Sequence, residues 1–379
     1  MKVLLISSYP TKGCGVSKYT EELIGGLKEN GTEVDSMRIR FIEGWLPSIK
    51  AILRISRSVL SIKPEIVHIQ YTPTTSGPLI LPFVLFLRIL GSMKLVVTCH
   101  EKPDGYLKHL KNRYLSAAFL LYEKYLLRLT DRIIVHSRDH KERIIALYGI
   151  GNEKIVIIPH GVPPRPDITS ARVLQVKDKL RIGNETVITF FGAIRPNKGV
   201  ELLIRAFSNV LNNHANLILL IAGQVPTSSR GYFERLIELV GSLGIDKKVV
   251  FAGFVEDFEI PGIIDISRMI VLPYTESTQS GVLFREVIPY SKPVIVSDVG
   301  GLGEATKEYN IGIVTPKGNV DLLAEAIRRL LSDEGFARFI ALNQARVRES
   351  LSWTNISKRH LEIYRQTIGK DDTTGQPAD

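Results

Sequence analysis

Cysteine is scarce in this chain. Only Cys14 and Cys99 occur among 379 residues, which excludes a disulfide framework and any zinc site built from spaced cysteine pairs. The first residues, MKVLLISSYP, form too short an apolar run for a secretory signal and lack a small-residue cleavage site, so they predict a first β-strand instead. These absences predict a cytoplasmic protein.

Long hydrophobic runs are also missing. The longest apolar stretch, Pro78–Leu90, contains Pro82 and Arg88 and is shorter than the ~20 residues that a membrane-spanning helix needs. With 44% hydrophobic and 23% charged residues, the composition is that of an ordinary globular protein, and the length favours two domains.

Acidic residues are few in the first half of the chain. Residues 1–160 carry 23 Lys and Arg against 14 Asp and Glu, a net +9, whereas residues 161–379 carry 26 against 25, a net +1. Such an asymmetry indicates either an anionic partner for the first half, which would be a membrane surface or a phosphorylated substrate, or simply solvated lysines. Nothing in the pattern indicates a nucleic-acid partner.

Short runs rich in β-branched residues alternate with longer stretches that have apolar residues at helical spacing. This alternation predicts an α/β protein with parallel sheets covered by helices. The Pro-rich segment 161–168, GVPPRPDI, predicts a linker. The predicted strands are Lys2–Ser7, Glu33–Ile39, Ile66–Gln70, Lys94–Cys99, Arg132–His136 and Lys154–Ile158 before the linker, and Thr186–Phe191, Asn216–Ala222, Lys248–Phe251, Met269–Leu272, Pro293–Ser297 and Ile313–Val314 after it.

A glycine-rich loop follows the first strand. Gly13 and Gly15 allow a ligand to approach the backbone, and the helix that follows offers free N–H groups. A dinucleotide fingerprint would need a third glycine three residues after Gly15, where the chain has Lys18. An NAD site is therefore disfavoured, and a loop that simply closes a tight turn is an equal alternative.

Histidines end two segments of the first half. His100 closes the strand VVTCH and His160 lies in IIPHGV. A histidine at the carboxyl end of a strand can bind a ligand, although a single loop histidine is more often structural. His68, inside its strand, is expected to be buried.

Two cations follow the first strand of the second half. In FFGAIRPNKG, Gly192 ends a strand, Arg195 and Lys198 come next, and Gly199 opens a helix. An Arg fork and a Lys ammonium beside a helix start are suited to bind a diphosphate and to neutralise it as it departs. Two solvated loop charges are the alternative.

The segment from Leu272 to Glu304 contains a second pair of ligand-binding signals. Ser280 and Gly281 open a short helix that can bind phosphate through backbone N–H groups, and Glu286 one turn later can accept hydrogen bonds from sugar hydroxyls. The next strand ends at Asp298, before a turn with Gly300, Gly301 and Gly303.

Taken in order, these motifs resemble those of glycosyltransferase family 4, and the resemblance runs from Gly13 to the helix that contains Trp353. It implies a GT-B fold, in which two facing Rossmann-like domains enclose a deep cleft. The expected domains are an acceptor-side domain over 1–165, a sugar-nucleotide domain over 166–354, a helix over about 355–370 that packs back on the first domain, and a disordered tail over 371–379.

The resemblance also implies roles for single residues. Arg195 and Lys198 match the pair that binds the diphosphate, and Glu286 matches the carboxylate that holds the ribose. The remaining matches are His100 near the sugar, Gly13, Gly15 and Gly192 in donor-side loops, the backbone amides of Val282 and Leu283 at the phosphates, and Gly253–Val255 beside the nucleobase.

One position departs from the family pattern. The family commonly has two glutamates seven residues apart, and the first of them would fall at Thr278. The chain reads TESTQSG here, so Thr278, Gln279 or a shifted Glu276 are the alternatives for the sugar contact, with Ser280 and Gly281 completing the donor loop.

The resemblance implies the transfer of a hexose from a nucleotide-diphosphate sugar to a glycan or lipid-linked acceptor, with retention at the anomeric carbon. Without a second well-placed carboxylate a double displacement is disfavoured, and front-face attack is the alternative. No Asp-x-Asp cluster occurs, so we expect neither a metal nor another cofactor. A sugar-nucleotide epimerase, an NAD-linked oxidoreductase and a non-catalytic nucleotide-binding module remain as alternatives.

Cations and large apolar residues are interleaved in two segments of the first half. Leu46–Leu60 carries Lys50, Arg54 and Arg57, and a second segment places Lys108, Lys111 and Arg113 beside Tyr106, Leu107 and Tyr114. This pattern is typical of a surface that rests on an anionic bilayer, or of a domain face whose apolar residues point inward. It predicts peripheral association with the inner face of the membrane.

Overall fold

The computed structural model describes most of the chain, in the ranges 1–8, 15–39, 49–73, 80–91, 93–103, 107, 112–277 and 279–369. Three of the sequence-based assignments, at Gly13, Thr278 and the tail 371–379, lie outside these ranges, as do Tyr106, Lys108 and Lys111. Among the described residues, no helix is both long enough and apolar enough to cross a bilayer.

The described chain forms two compact units, one of Met1–Gly161 with Trp353–Asp379 and one of Val162–Ser352. The boundary falls after Gly161 rather than after residue 165, because the amide of Val162 donates to the carbonyl of Leu351 (2.8 Å) and Val162 forms a parallel bridge with Ser352.

The amino-terminal unit is built on a six-stranded parallel sheet of order β2-β1-β3-β4-β5-β6. Its central strands are largely buried runs of β-branched and aliphatic residues, such as the fully buried IVHIQY, as expected for a parallel sheet covered on both faces. The strands are β1 (Lys2–Ser8), β2 (Glu33–Ile39), β3 (Ile66–Tyr71), β4 (Lys94–Cys99), β5 (Arg132–Val135) and β6 (Ile155–Ile157).

Helices connect these strands, and the last helix returns from the other end of the chain. Local signals set their ends: Ser137 caps the helix Arg138–Tyr148, and Gly149 ends it in the left-handed conformation. The helices are α1 (Gly15–Glu29), α2 (Ile49–Ile62), α3 (Ile80–Leu90), α4 (Arg113–Arg128), α5 (Arg138–Tyr148) and, at the carboxyl end, Trp353–Ile368, labelled α13.

The carboxy-terminal unit has a second six-stranded parallel sheet, of order β12-β11-β10-β7-β8-β9. Its strands are β7 (Thr186–Phe191), β8 (Leu217–Ala222), β9 (Val249–Gly253), β10 (Ser267–Leu272), β11 (Val294–Ser297) and β12 (Ile313–Thr315). Its helices are α6 (Ser170–Leu180), α7 (Val200–Leu211), α8 (Arg230–Ser242), α9 (Ile260–Ile266), α10 (Gly300–Glu308), α11 (Val320–Ser332) and α12 (Glu334–Ser350).

The return of α13 to the amino-terminal unit depends on a close contact with α1. A Cβ on Gly26 would lie 2.5 Å from the carbonyl oxygen of Trp353, so only glycine allows this approach. Asn30 adds hydrogen bonds to the carbonyl of Thr354 (3.0 Å) and to the hydroxyl of Ser357 (2.8 Å). The helix starts two residues before the expected 355.

Two local predictions differ from the structure. The glycines at 300, 301 and 303 form the first turn of α10 rather than a loop. A Cβ on Gly303 would lie 2.6 Å from the carboxylate of Asp298, so glycine at this position lets the helix begin close to the end of β11. The helix that carries Glu286 is a π-helical segment, Leu283–Val287, followed by the 3₁₀ turn Ile288–Tyr290. Such π segments are frequent at functional sites.

Candidate functional site

The loops of the carboxy-terminal unit that carry the predicted donor residues follow the carboxyl ends of its strands, where open α/β sheets bind ligands. Gly192 follows β7 with φ +134°, and Gly223 follows β8 with φ +152°. A Cβ on Gly223 would lie 1.9 Å from the carbonyl oxygen of Gly192. Gly223 was not predicted as a site residue, although its place directly after a buried strand was a usable signal.

The two predicted diphosphate cations lie on one short turn. Arg195 is extended and exposed, Pro196–Lys198 form a 3₁₀ turn, and Gly199 at φ +64° starts α7. A Cβ on Gly199 would lie 2.0 Å from the carbonyl oxygen of Pro273. The glycine therefore packs this turn against the loop that follows β10.

Lys198 is a partly desolvated cation. Its ammonium lies 3.6 Å from the centre of the ring of Tyr274, a residue with no exposed surface. Burial first, and the nearby charge of Arg195 second, lower the pKa of Lys198 to about 8. Among the described residues no carboxylate lies within salt-bridge distance of this ammonium, which leaves it a positive charge suited to an anionic ligand.

The loop after β10 presents polar atoms beside this cation. Ser280 is buried, and its carbonyl accepts from the amide of Leu283 at 3.1 Å. Gly281 is exposed and has no atom within 4 Å of its Cβ position, and Val282 is half-buried with a methyl group 3.6 Å from the Cβ position of Gly192. The predicted Leu283 amide is thus already engaged within the protein.

Two further polar atoms of this loop are buried without a hydrogen-bond partner among the described residues, the hydroxyl of Ser277 and the side-chain oxygen of Gln279. A buried polar group without a partner costs roughly 1–3 kcal/mol, so a ligand that supplies donors here would be stabilised. Glu286 is half-buried, whereas Glu276 is exposed.

At the loop after β9, the side chain of the predicted residue Val255 points inward and is 8% exposed, whereas Phe254 is 47% exposed. Gly253 has φ +68°. The side chain at this loop that is available to a ligand is therefore that of Phe254, within the predicted segment Gly253–Val255, rather than that of Val255.

His100 of the amino-terminal unit has both ring nitrogens engaged. Its Nε2 lies 2.8 Å from the side-chain oxygen of Gln70, and its Nδ1 lies 3.3 Å from Nε2 of His136. The Nδ1 of His136 donates to the carbonyl of Ile158 at 2.9 Å. A ligand therefore reaches a nitrogen of His100 only by exchanging one of these partners.

The histidines around His100 pack on one tyrosine ring. The ring centre of Tyr19 lies 4.9 Å from His100, 5.1 Å from His136 and 5.2 Å from His160. Tyr19, Gln70 and His136 were missed, because the packing that joins them comes from different strands and helices. His68 is fully buried as predicted, and its Nδ1 lies 2.6 Å from the hydroxyl of Tyr364.

Burial holds this cluster neutral. His360 belongs to the cluster as well, because its Nε2 lies 3.3 Å from the hydroxyl of Tyr19. Burial lowers the pKa of His136 and of His360 to about 4, and it lowers the pKa of His100 well below its usual value, with His136 adding to the effect. Because Nδ1 of His136 donates to Ile158, a neutral His136 accepts from the Nδ1–H of His100 through its Nε2. The contact with the side chain of Gln70 holds the other ring nitrogen of His100.

The other predicted residue of this unit, Gly15, starts α1, is exposed, and has no atom within 4 Å of its Cβ position. Among the residues described, no group of three His, Cys, Asp or Glu side chains is arranged to hold a metal ion.

Two family models match the chain, one for each half. The model described as Glycosyltransferase Family 4 matches residues 11–165, and the model described as Glycosyl transferases group 1 matches residues 174–346. An uncharacterized glycosyltransferase of Methanocaldococcus jannaschii is 28% identical over 96% of this chain and 98% of its own length. A D-inositol 3-phosphate glycosyltransferase of Rhodococcus jostii is also 28% identical, over 66% of this chain and 55% of its own length.

A solved structure also matches the fold over its full length. The sucrose-phosphate synthase of Thermosynechococcus elongatus has a TM-score of 0.77 at 20% identity, over 97% of this chain and 99% of the other. Together with the two six-stranded parallel sheets, this likeness confirms the predicted α/β GT-B fold class.

Proposed function

Because this chain belongs to glycosyltransferase family 4, we propose that it transfers a hexose from a nucleotide-diphosphate sugar to an acceptor hydroxyl, with retention at the anomeric carbon. The observation that carries the donor class is the turn with exposed Arg195 and half-buried Lys198, whose ammonium lies 3.6 Å from the ring centre of Tyr274 and has no carboxylate within salt-bridge distance among the described residues. A diphosphate supplies the negative charge that this turn lacks.

The proposed mechanism assigns the leaving group to the carboxy-terminal unit. As the glycosidic bond to the nucleotide breaks, negative charge grows on the diphosphate, and Arg195 and Lys198 stabilise it. Glu286 would hold the ribose, and the loop of Gln279 and Ser280 would hold the sugar. The acceptor hydroxyl attacks from the face that the nucleotide leaves, and the departing phosphate takes its proton.

In the amino-terminal unit, His100 would contact the transferred sugar. Its two nitrogens bond to Gln70 and His136, so the ring is held in one orientation before the sugar arrives, and a sugar hydroxyl would then replace one of these partners. Such preorganisation saves the cost of ordering the ring in the transition state.

The test is a transfer assay with UDP-, GDP- and ADP-hexoses and a glycan or lipid-linked acceptor fraction. Mass spectrometry should detect a hexose added to the acceptor, and NMR of the product should show the anomeric configuration of the donor. Conversion of the donor into an isomeric sugar nucleotide without any acceptor would instead identify an epimerase, and an inverted product would exclude retention. A thermal-shift panel selects the base beforehand, since a ligand at 100 times its Kd stabilises by about 2.7 kcal/mol.

We further propose that the acceptor is reached at an anionic membrane. The exposed side of α4 carries Tyr114 (70% exposed) and Leu115 (58% exposed), and the guanidinium of Arg113 lies 4.9 Å from the ring centre of Tyr114. On α3, Ile89 is 84% exposed. Apolar side chains next to cations are what an anionic bilayer surface binds, at about 1 kcal/mol for each basic residue.

Liposome cosedimentation tests this surface. Binding should rise with the fraction of anionic lipid and fall with salt, and Arg113→Glu combined with Leu115→Glu should weaken it, whereas Arg346→Glu on α12 of the other unit should not. Equal binding to neutral and anionic vesicles, or no binding to either, would favour a soluble acceptor.

A further inference from the structure

The carboxy-terminal unit has a second charged cleft, on the edge of its sheet opposite to the donor loops. We call it the amino-edge cleft; it is an open cavity of about 570 Å³, and its charged and aromatic lining consists of Arg165, Asp265, Arg268, Tyr290, Lys292, Glu334 and Arg338. Ser267, which also lines it, begins β10, and Pro293 directly precedes β11. Since the donor loops follow the other ends of these strands, roughly 15–20 Å separates the two places.

Positive charge is in excess in this cleft. Four cations face two carboxylates, and the ion pairs among them are long. The carboxylate of Asp265 lies 4.0 Å from both Arg165 and Lys292, and Glu334, 3.6 Å from Arg268, is 85% exposed. Pairs of this length and exposure stabilise the fold little, so the cations remain available to a further anion.

Lys292 shows that the cations crowd one another. Its side chain is only 19% exposed, and its Nζ donates to the carbonyl of Asp265 at 2.6 Å. Burial lowers the pKa of Lys292, Asp265 opposes this effect, and Arg165 and Arg268 add to the lowering. A bound anion among these three cations would relieve their mutual repulsion.

We propose that the amino-edge cleft binds a small phosphorylated molecule of the size of a sugar phosphate, with its phosphate held by Arg165, Arg268 and Lys292. Guanidinium groups bind phosphate through paired N–H donors, and the volume lies within the range of small-molecule sites. The hydroxyls of Tyr290 and Ser291, which also line the cleft, can then bond the rest of the molecule.

One helical segment joins this cleft to the proposed donor site. Tyr290 ends the turn that follows the π-helical segment Leu283–Val287, and Glu286 lies one turn before it. A ligand that holds Tyr290 would therefore act on the segment that carries Glu286. This regulatory consequence rests on the proposed function, whereas binding in the cleft does not.

The binding test separates the cleft from the donor site. Calorimetric titrations with glucose 6-phosphate and with inorganic phosphate are run in an Arg195→Ala/Lys198→Ala background, which weakens any phosphate binding at the donor loops. Binding should persist there and should weaken at least tenfold when Arg165→Gln and Arg268→Gln are added. Arg346→Gln, an exposed arginine of α12 outside the cleft, is the matched control and should leave the affinity unchanged.

Three results would overturn the proposal. These are absence of binding of both probes at millimolar concentration, binding that is abolished by the Arg195→Ala/Lys198→Ala background, and equal affinity in the cleft variant and the Arg346→Gln control. Lys292→Gln serves as a second variant if the double substitution lowers the melting temperature. In the wild-type protein, a nucleotide affinity that does not respond to saturating glucose 6-phosphate would exclude the regulatory link while leaving the binding result intact.

Discussion

The two units prepare their proposed ligand sites with different groups. The carboxy-terminal unit uses glycines at positive φ, such as Gly192 and Gly223, and the cations Arg195 and Lys198. The amino-terminal unit instead packs neutral histidines on the ring of Tyr19 and links them by hydrogen bonds. The first arrangement suits a charged leaving group, and the second suits neutral hydroxyls, which need oriented donors and acceptors rather than charge.

The largest expected effect is the loss of turnover when a cation of the carboxy-terminal unit is removed. Arg195→Ala or Lys198→Ala should each lower turnover roughly 100- to 1000-fold, the scale found when one preorganised charge-stabilising group is lost. Circular dichroism should show an intact fold, since Arg195 is exposed and Lys198 lies on a surface turn. Turnover near the wild-type value in both variants, measured by steady-state kinetics, would contradict the assignment of these residues to the diphosphate.

The neutral histidines of the amino-terminal unit should make its stability depend on pH under acidic conditions. The pKa of His136 and of His360 lies near 4 in the folded protein against about 6.5 unfolded, so the unfolded chain binds more protons between these values. The free energy of unfolding should therefore fall by up to a few kcal/mol as the pH drops from about 6.5 to 4. Above pH 7 these histidines should contribute no pH dependence.

Urea unfolding followed by tryptophan fluorescence measures this slope, because Trp353 begins α13 of the amino-terminal unit and packs on the ring of Tyr19. His360→Gln should make the slope shallower, and His214→Gln in the other unit should not. A slope that is the same in His360→Gln and wild type would show that the cluster is not held neutral.

Neighbouring glycines of α1 test the packing that completes the amino-terminal unit. Gly26→Ala would place a methyl group 2.5 Å from the Trp353 carbonyl and should cost about 1–3 kcal/mol of stability. Gly25→Ala meets no atom within 4 Å and should stabilise by about 0.5–1 kcal/mol, because alanine is the better helix former. Equal effects of the two substitutions on the urea midpoint would contradict the contact between α1 and α13.

The lowered pKa of Lys198 predicts a pH dependence of donor binding. With a pKa of about 8 in the free protein, the ammonium is charged below pH 8 and loses its proton above it. The affinity for a nucleoside diphosphate should fall as pH rises through 8, and Lys198→Arg should flatten this profile. Calorimetry in matched buffers measures both, and a profile unchanged by Lys198→Arg would assign the titration to another group.

The smallest effect is expected at the departure from the family pattern. Glu276 is exposed, whereas Glu286 is half-buried in the π-helical segment. Glu276→Ala should therefore change turnover less than twofold, while Glu286→Ala should lower it at least tenfold. A loss in Glu276→Ala as large as in Glu286→Ala would place the missing carboxylate at Glu276.

The pattern of the chain predicted the strands closely because buried parallel strands are continuous β-branched runs with few alternatives. Lys94–Cys99 and Thr186–Phe191 have the bounds that were expected, as does the more exposed Glu33–Ile39, and other strands shift by one or two residues. Loops after strands were also located correctly, since glycines mark them. The turn at Gly300 was misplaced, because the glycine signal for a loop and for a close helix start is the same.

What the sequence alone determined is therefore the local structure: the α/β class, the twelve strands of the described residues and the loop that carries Arg195 and Lys198. Only the tertiary structure decided which side chains meet. His100 and His136 lie 36 residues apart, and Tyr19 meets Trp353 across most of the chain, because parallel strands bring distant segments to one sheet edge. The burial that keeps these histidines neutral and lowers the pKa of Lys198 likewise depends on neighbours from other elements, which no local pattern encodes.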